Sequence, residues 1–258
     1  MNLGERDELL AVIKLIQMKE AGKALPILGK IESVGFKGRN YRAAPWTYDS
    51  GKPVLTMPES ELAYAAKTMG FCKAGRNDKA DVYVNGFGLS VKSMRSAPPA
   101  LVNHTARPGW LRICQQIGVS IEPLDEIIDN YWALRQSGQI KEDIANSVMA
   151  SPFRNKKKYL TPILSYFLFK GTGSTDSTSP ADFLLHMKDP TRESTWELLS
   201  PEDFIDLLWP RLVFSVRSKK GMPPNYPNMT DKAKLLSTAR WTKLHQNEYR
   251  GALHVRAK

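Results

Sequence analysis

Three polar residues between Lys79 and Arg95 are of the types that phosphoryl chemistry uses. Asp81 comes first, and Ser90 and Lys92 follow it after a short interval. An aspartate can hold Mg²⁺, and a nearby lysine can orient the attacking water and offset charge on a phosphate. The alternative is an ordinary antiparallel hairpin with one core face and one wet face, in which these side chains are only solvated.

The dipeptide Asn85-Gly86 predicts the β-hairpin that must position these residues. Both central residues of a two-residue type I′ turn need positive φ, and Asn-Gly is the strongest short signal for such a turn. The turn pairs apolar residues across the two strands: Ala80 with Val91, Val82 with Leu89, and Val84 with Phe87. Side chains alternate along a strand, so these six share one face. The opposite face then carries Asp81, Tyr83, Gly88, Ser90 and Lys92.

This stretch resembles the PD-(D/E)xK nuclease core of type II restriction endonucleases. Ala80-Asp81 stands in the place of the family's Pro-Asp, and Ser90-Val91-Lys92 stands in the place of (D/E)xK. The resemblance covers residues 58–95, and the motif is short and degenerate. Ser90 departs from it, because an acid is usual at that position. Some restriction enzymes are similar in having serine there, and they recruit a carboxylate from elsewhere in the fold.

The resemblance implies roles for the site residues. Asp81 and the main-chain carbonyl of Val91 would hold Mg²⁺, Lys92 would orient the water, and Ser90 would hydrogen-bond a metal-bound water. In the family, a helix just before the aspartate strand carries a glutamate. Proline and glycine punctuation predicts such a helix over residues 56–70, in which Glu59 would be the missing ligand and Glu61 its substitute. The alternative is that both are first-turn acids favoured by the helix dipole.

The charge of the chain favours a polyanionic partner. The formal net charge is +11 and the sequence pI is about 9.6, and phosphates supply sequence-independent affinity for such a protein. An anionic membrane is the competing partner. The sequence contains no long apolar span and no secretory N-terminus, so we do not expect a membrane partner. Cys72 and Cys114 are too few for a disulfide framework or a zinc site, which favours reduced thiols in a cytoplasmic protein.

Basic residues interleaved with aromatic and amide side chains predict the DNA-contacting surface. They lie in the segment after the lysine strand and in the tail from residue 217 onward. The alternatives are a hydrogen-bonding loop histidine at His104 and a basic surface over core aromatics in the tail. The predicted contacts are Arg95, Asn103, His104, Arg107, Arg217, Lys219, Lys220, Arg240, Lys243, Gln246, Asn247 and Arg250.

Apolar periodicity and capping signals place the remaining elements. Helices are predicted over 6–22, 26–34, 108–118, 122–137, 140–149, 157–169 and 200–209, and strands over 181–187 and 212–217. Residues 171–180 read as a flexible connector, which lacks the Gly-Lys-Ser/Thr ending of a phosphate-binding loop. We therefore expect a helical and nuclease-core domain over 1–170 and a basic C-terminal subdomain over 181–258, or a single domain over 1–258.

These patterns lead to an expected fold and function. The fold is mixed α/β (α+β), with a restriction-endonuclease-like core in which a short mixed sheet is flanked by many helices. The function is that of a sequence-specific, Mg²⁺-dependent type II restriction endonuclease on double-stranded DNA, a homodimer by resemblance, with no small-molecule cofactor. The alternative is a non-catalytic DNA-binding or regulatory protein, in which Ser90 marks a site without its second carboxylate. A structure-specific repair or recombination nuclease is disfavoured, because its task rarely needs so many base-reading side chains.

Overall fold

The computed structural model describes residues 2–41, 58–71, 74–75, 77–96, 98, 100–218 and 220–258. The protein is mixed α/β. The described helices are α1 (Leu3–Glu20), α2 (Glu59–Met69), α3 (Arg107–Gln116), α4 (Glu122–Gln136), α5 (Lys157–Phe169), α6 (Pro201–Leu208) and α7 (Lys232–Ala239). The described strands are β1 (Ala24–Leu25), β2 (Gly29–Lys30), β3 (Val34–Phe36), β4 (Arg39–Asn40), β5 (Val82–Val84), β6 (Phe87–Ser93), β7 (Ala100–Ala106), β8 (Ile144–Ala145), β9 (Phe183–Met187), β10 (Trp196–Leu199), β11 (Leu212–Arg217), β12 (Lys243–His245), β13 (Glu248–Arg250) and β14 (Ala252–Ala257).

The chain divides into two compact units, each built from two separate stretches. The first unit takes Met1–Ala97 and Ser177–Pro201, and the second takes Pro98–Asp176 and Glu202–Lys258. The chain passes from one unit to the other three times. The passage after Asp176 falls inside the predicted connector 171–180, whereas those after Ala97 and Pro201 do not. The division therefore differs from a single boundary at the connector.

A six-stranded mixed sheet organises the first unit. Its order is β10-β9-β6-β5-β3-β4, in which β6 and β9 are parallel and the other neighbours are antiparallel. Helix α1 begins with a capping box between Asn2 and Glu5, which satisfies two free N–H groups of its first turn. The buried side chains of α1 and α2 form one apolar cluster with Val82, Val84, Leu89 and Val91. One face of the β5–β6 hairpin is thus core.

The predicted hairpin turn is confirmed. Asn85 and Gly86 have φ values of 52° and 84°, and Val82 pairs with Leu89 as expected. The Asn85 side chain also accepts from the N–H of Glu32 at 2.8 Å and donates to the carbonyl of Lys30 at 2.8 Å. The turn is therefore tied to the chain before β3.

Two details of the predicted hairpin face are wrong. Phe87 is 45% exposed rather than buried, and its ring makes an edge contact with Phe183. The ladder also ends before Ala80 can pair with Val91. The N–H of Ala80 donates instead to the carbonyl of Ser179 at 2.9 Å, because the chain entering β9 covers this end of the hairpin.

The predicted helices over 26–34 and 140–149 are wrong. The first segment supplies the turn of the β1–β2 hairpin and strand β2, and Ile27 and Gly29 have φ values of 69° and 70°, which an α-helix excludes. In the second segment β8 pairs with β11, and the N–H of Asn146 donates to the carbonyl of Leu212 at 2.8 Å. Long-range strand pairing overrides the local apolar spacing at both places. The other predicted helices and both predicted strands are confirmed to within a few residues; residues 56 and 57 lie outside the described residues.

The second unit contains an antiparallel sheet in the order β7-β14-β11-β8. Strand β7 lies in a segment for which the sequence patterns predict no helix or strand. The tail supplies β14, which is mostly buried between β7 and β11, as well as α7 and the β12–β13 hairpin. Cys114 is buried, and burial raises the pKa of its thiol to about 11; Cys72 lies outside the described residues. Among those residues, no helix has the length and apolar run that crossing a bilayer requires.

Candidate active site

Asp81 and Lys92 lie on the same side of two neighbouring strands. Asp81 immediately precedes β5, and Lys92 is in β6, its antiparallel partner. The Lys92 ammonium is 3.5 Å from Asp81 Oδ2, and the two side chains are 35% and 15% exposed. The pair is therefore partly desolvated while still open to a ligand. This is the arrangement that the hairpin pattern predicts.

Every hydrogen bond that the described residues make to the Asp81 carboxylate ends on Oδ2. The N–H of Val91 donates at 2.7 Å, Ser90 Oγ at 3.4 Å, and Lys92 Nζ at 3.5 Å. The carboxylate is fixed in orientation by the backbone of the opposite strand. Its Oδ1 is left as the oxygen that can turn to a ligand.

The Asp81 carboxylate and the Val91 carbonyl converge on one cation. Lys92 Nζ donates to the carbonyl of Val91 at 3.0 Å as well as approaching Asp81 Oδ2. Carboxylate and carbonyl oxygens are the ligands that Mg²⁺ prefers, so two of the predicted ligands fit a divalent ion. A divalent ion held by these two oxygens would take the place of the ammonium that contacts both of them.

The second carboxylate stays a prediction. Glu59 is the first residue of α2 and is exposed, and Glu61 lies half-buried in the same first turn. Within the described ranges, no group of three or more His, Cys, Asp or Glu side chains is arranged to hold a metal ion.

Lys79 is a further cation of this site that the sequence pattern did not single out. It lies two residues before Asp81, and its main-chain N–H donates to the carbonyl of Ser179 at 2.9 Å. Burial, and secondarily the charge of Lys92, lower the pKa of Lys79. Lys79 therefore lies close enough to Lys92 for the two charges to interact. The one sequence signal for Lys79 was its position two residues before Asp81, because alternate residues of a strand share a face.

Strands β9 and β10 bring two more titratable groups to the same sheet. His186 is the register partner of Lys92 in the parallel β6–β9 pair, and Glu197 is the partner of His186. His186 Nδ1 is 3.6 Å from Glu197 Oε2. No local signal could have identified them, because their position depends on pairing between distant segments.

Gly88 allows β9 to approach the hairpin closely. Its carbonyl accepts from the N–H of Asp182 at 2.7 Å, and its own N–H donates to Asp182 Oδ2 at 2.9 Å. A Cβ on Gly88 would lie 2.5 Å from the carbonyl oxygen of Pro180. Glycine is therefore required here, and Asp182 serves to join β6 to the start of β9.

Arg95, a predicted DNA contact, is bound to a buried carboxylate. Its Nε donates to Asp7 Oδ2 at 3.0 Å, and its Nη2 contacts Asp7 Oδ1. Ser93 Oγ also donates to Asp7, whose side chain has no exposed surface. The hydrogen bond to Asp7 raises the pKa of Arg95. The guanidinium thus joins β6 to α1 rather than standing free for phosphate.

The other predicted arginine contacts also have acidic partners within the second unit. Arg107 makes two 2.7 Å hydrogen bonds to Asp125. Arg217 reaches Asp143 at 2.8 Å, and Arg240 binds both oxygens of Asp129. Arg250 contacts Glu142 and Glu248.

Most of the exposed members of the predicted DNA set are lysines and amides. Gln246 and Asn247 form the turn of the β12–β13 hairpin, with φ values of 50° and 60°. Lys219 lies outside the described residues. Arg95 and Arg240 are exposed but bound to acidic partners, and the other exposed members are Asn103, Lys220, Lys243, Gln246 and Asn247.

His104 is half-buried and stacks on another histidine. Its ring lies 4.2 Å from that of His254, with an interplanar angle of 11°. His254 Nδ1 lies 2.9 Å from the carbonyl of Val102, so Nδ1 carries a proton. Burial, followed by the positive charge of Arg217, lowers the pKa of His104. Burial, followed by the charge of His104, lowers the pKa of His254 to about 4.

The histidine stack makes stability fall as the pH falls. His254 has a pKa of about 4 in the fold and an ordinary value of 6.5, so between these values the unfolded chain binds more protons and unfolding becomes easier. We expect the free energy of unfolding to drop across this window, and His254→Asn, whose amide can still donate to Val102, to weaken the drop. Urea unfolding at pH 7, 6, 5 and 4 measures both profiles, and parallel profiles would refute the assignment.

Comparison with known proteins assigns neither a family nor a function to the chain. No protein-family model matches the chain, and no curated protein and no solved structure matches it.

Proposed function

We propose that this protein is a Mg²⁺-dependent endonuclease, with a restriction-endonuclease-like core in the first unit. The observation that carries the proposal is the Asp81–Lys92 pair, which projects from one side of two adjacent strands with the Val91 carbonyl beside it. A carboxylate, a carbonyl and an ammonium within reach of one position suit the hydrolysis of a phosphodiester.

Each residue of the site has a defined task in the proposed reaction. Asp81 and the Val91 carbonyl would hold the ion, which lowers the pKa of a bound water and offsets negative charge on the phosphate. Lys92 orients the attacking water and stabilises charge on a phosphate oxygen, and Lys79, whose charge interacts with that of Lys92, adds positive charge. Ser90 Oγ, 3.4 Å from Asp81 Oδ2, helps to fix the carboxylate. Glu59 is the proposed source of the second carboxylate.

A non-catalytic DNA-binding protein is the second candidate, and one contact favours it. Lys92 Nζ touches both proposed metal ligands, Asp81 Oδ2 and the Val91 carbonyl. An ammonium in this place satisfies both oxygens with no divalent ion. If it stays there, the site is a structural ion pair and the net charge of +11 serves binding alone.

The proposed substrate is double-stranded DNA read at a specific sequence, by a homodimer in the cytoplasm. Lys243, Gln246 and Asn247 are exposed on the β12–β13 hairpin, which suits contact with phosphates and base edges. The high positive charge supports the choice of a polyanion. The homodimer rests on the resemblance to restriction enzymes.

We expect Lys243→Ala to weaken DNA binding about equally for all sequences. Loss of one phosphate contact reduces the slope of log affinity against log salt by about 0.9. Gln246→Ala instead relaxes sequence preference, because an amide lost from a base edge costs about 1–3 kcal/mol at that base pair. Fluorescence anisotropy over a salt series measures both changes, with exposed Lys67→Ala in the first unit as the control. An unchanged slope for Lys243→Ala together with an unchanged sequence preference for Gln246→Ala would remove the hairpin from the proposed DNA surface.

Digestion of a plasmid with Mg²⁺, and in parallel with EDTA, tests the proposal. Discrete fragments that appear only with Mg²⁺ support a sequence-specific endonuclease. A smear would indicate a nonspecific nuclease, and intact plasmid in both reactions, with DNA bound, would favour the non-catalytic alternative.

A further inference from the structure

Three residues from three adjacent strands lie in one row across the sheet of the first unit. Lys92 in β6 is paired in register with His186 in β9, and His186 is paired with Glu197 in β10. Register partners in neighbouring strands project from the same side of a sheet. The row therefore lies on the face that carries the Asp81–Lys92 pair.

His186 and Glu197 form a pair in which the carboxylate orients the imidazole. Nδ1 of His186 is 3.6 Å from Glu197 Oε2, and the side chains are 16% and 58% exposed. A carboxylate beside one ring nitrogen holds the ring in place. The ring is mostly enclosed and its Nδ1 lies beside Glu197, so Nε2 is the nitrogen that a proton-donating role would use.

The Asp81–Lys92 pair accounts for only half of a phosphodiester hydrolysis. It holds and orients the attacking side of the reaction, but the departing sugar oxygen also gains negative charge and needs a proton. Histidine is the side chain most often used to deliver such a proton. His186 is the titratable residue next to Lys92 on the opposite side of β6 from Asp81.

We propose that His186, oriented by Glu197, is the general acid of the nuclease reaction; the inference rests on the proposed function. As the water oxygen bonds to phosphorus, the bond from phosphorus to the departing sugar oxygen breaks. The proton of His186 Nε2 moves to that oxygen, which leaves as a hydroxyl. The attacking water releases its proton to solvent, and the neutral imidazole takes one back from solvent, so the site returns to its starting state.

A substrate with bridging sulfur tests this role directly. The probe is a synthetic DNA duplex that contains one cleavage position, which is first mapped by digestion of the plasmid. In this duplex the departing oxygen is replaced by sulfur. A thiolate leaves without a proton, so a missing general acid no longer matters. We expect His186→Ala to slow single-turnover cleavage of the oxygen duplex about 10²-fold and to cleave the sulfur duplex at close to the wild-type rate.

Two further variants make the outcome specific. Lys92→Ala, which acts on the attacking side, loses activity equally on both duplexes. Glu197→Gln, altered at an exposed position that the fold tolerates, shows a smaller loss than His186→Ala that the sulfur duplex again restores. Equal losses on the two duplexes for His186→Ala, or no loss on either, overturn the general-acid role while wild type still cleaves. Wild-type protein that cleaves neither duplex overturns the nuclease proposal itself, and the general acid with it.

Discussion

Lys92→Ala is expected to lose about 10³-fold in DNA cleavage while binding a divalent ion at least as tightly as wild type. Removing one electrostatic donor from an active site costs about this much in rate. In the wild-type protein Lys92 Nζ lies 3.5 Å from Asp81 Oδ2 and 3.0 Å from the Val91 carbonyl oxygen. The variant frees both oxygens, so we expect the affinity for the ion to be kept. Single-turnover cleavage and a Mn²⁺ titration followed by electron paramagnetic resonance measure the two effects.

A lower cleavage rate with no loss of metal affinity distinguishes Lys92 from a lysine that only supports the fold. Lys67→Ala, exposed at the end of α2, is the matched control and should change neither quantity. If Lys92→Ala binds Mn²⁺ more weakly than wild type, the ammonium does not compete with the ion. If the variant cleaves at the wild-type rate, Lys92 has no part in the chemistry.

Arg95→Ala is expected to destabilise the first unit by about 3 kcal/mol. Asp7 has no exposed surface, and removal of its guanidinium partner leaves a buried charge, a change that typically costs about 3–5 kcal/mol. The lower end applies because Ser93 Oγ still donates to Asp7. Urea unfolding measures the loss.

Two comparison variants show whether the loss comes from the buried pair. Arg192→Ala removes a side chain that is 74% exposed and 4.0 Å from Asp189, and it should cost less than about 0.5 kcal/mol. The double variant Asp7→Asn with Arg95→Ala should recover part of the loss, because no buried charge remains unpaired. A loss for Arg95→Ala no larger than that of Arg192→Ala would leave Arg95 available to DNA.

The hairpin was predictable because its determinants are local. Asn85-Gly86 specifies the turn through the φ values that the two residues can adopt, and the alternation of side chains then places Asp81 and Lys92 on one face. Helices such as α2 and α5 were predictable for the same reason, since proline, glycine and apolar spacing mark their ends and buried faces.

The remaining parts of the site depend on contacts between distant segments. His186 lies beside Lys92 only because β9 pairs in parallel with β6. Along the sequence the two strands are separated by the first stretch of the second unit, Pro98–Asp176. The acidic partners of the arginines are similarly remote: Arg240 and Asp129 are 111 positions apart, and Arg250 and Glu142 are 108. Composition shows that arginines are abundant, but only the fold shows which of them are neutralised. The predicted DNA surface accordingly shifts toward exposed lysines and amides.

The most direct test compares wild type with Asp81→Asn on the same supercoiled plasmid in Mg²⁺, with protein in excess of DNA. Asparagine keeps the shape of the side chain and an oxygen that accepts from the N–H of Val91, now 2.7 Å from Asp81 Oδ2, so the fold is preserved. The charge that would hold the ion is lost. We predict cut plasmid with wild type, none when EDTA is present, and none with Asp81→Asn although it still binds DNA. Equal cutting by the two proteins, or intact plasmid with wild type, would contradict the assignment of this hairpin as a nuclease site.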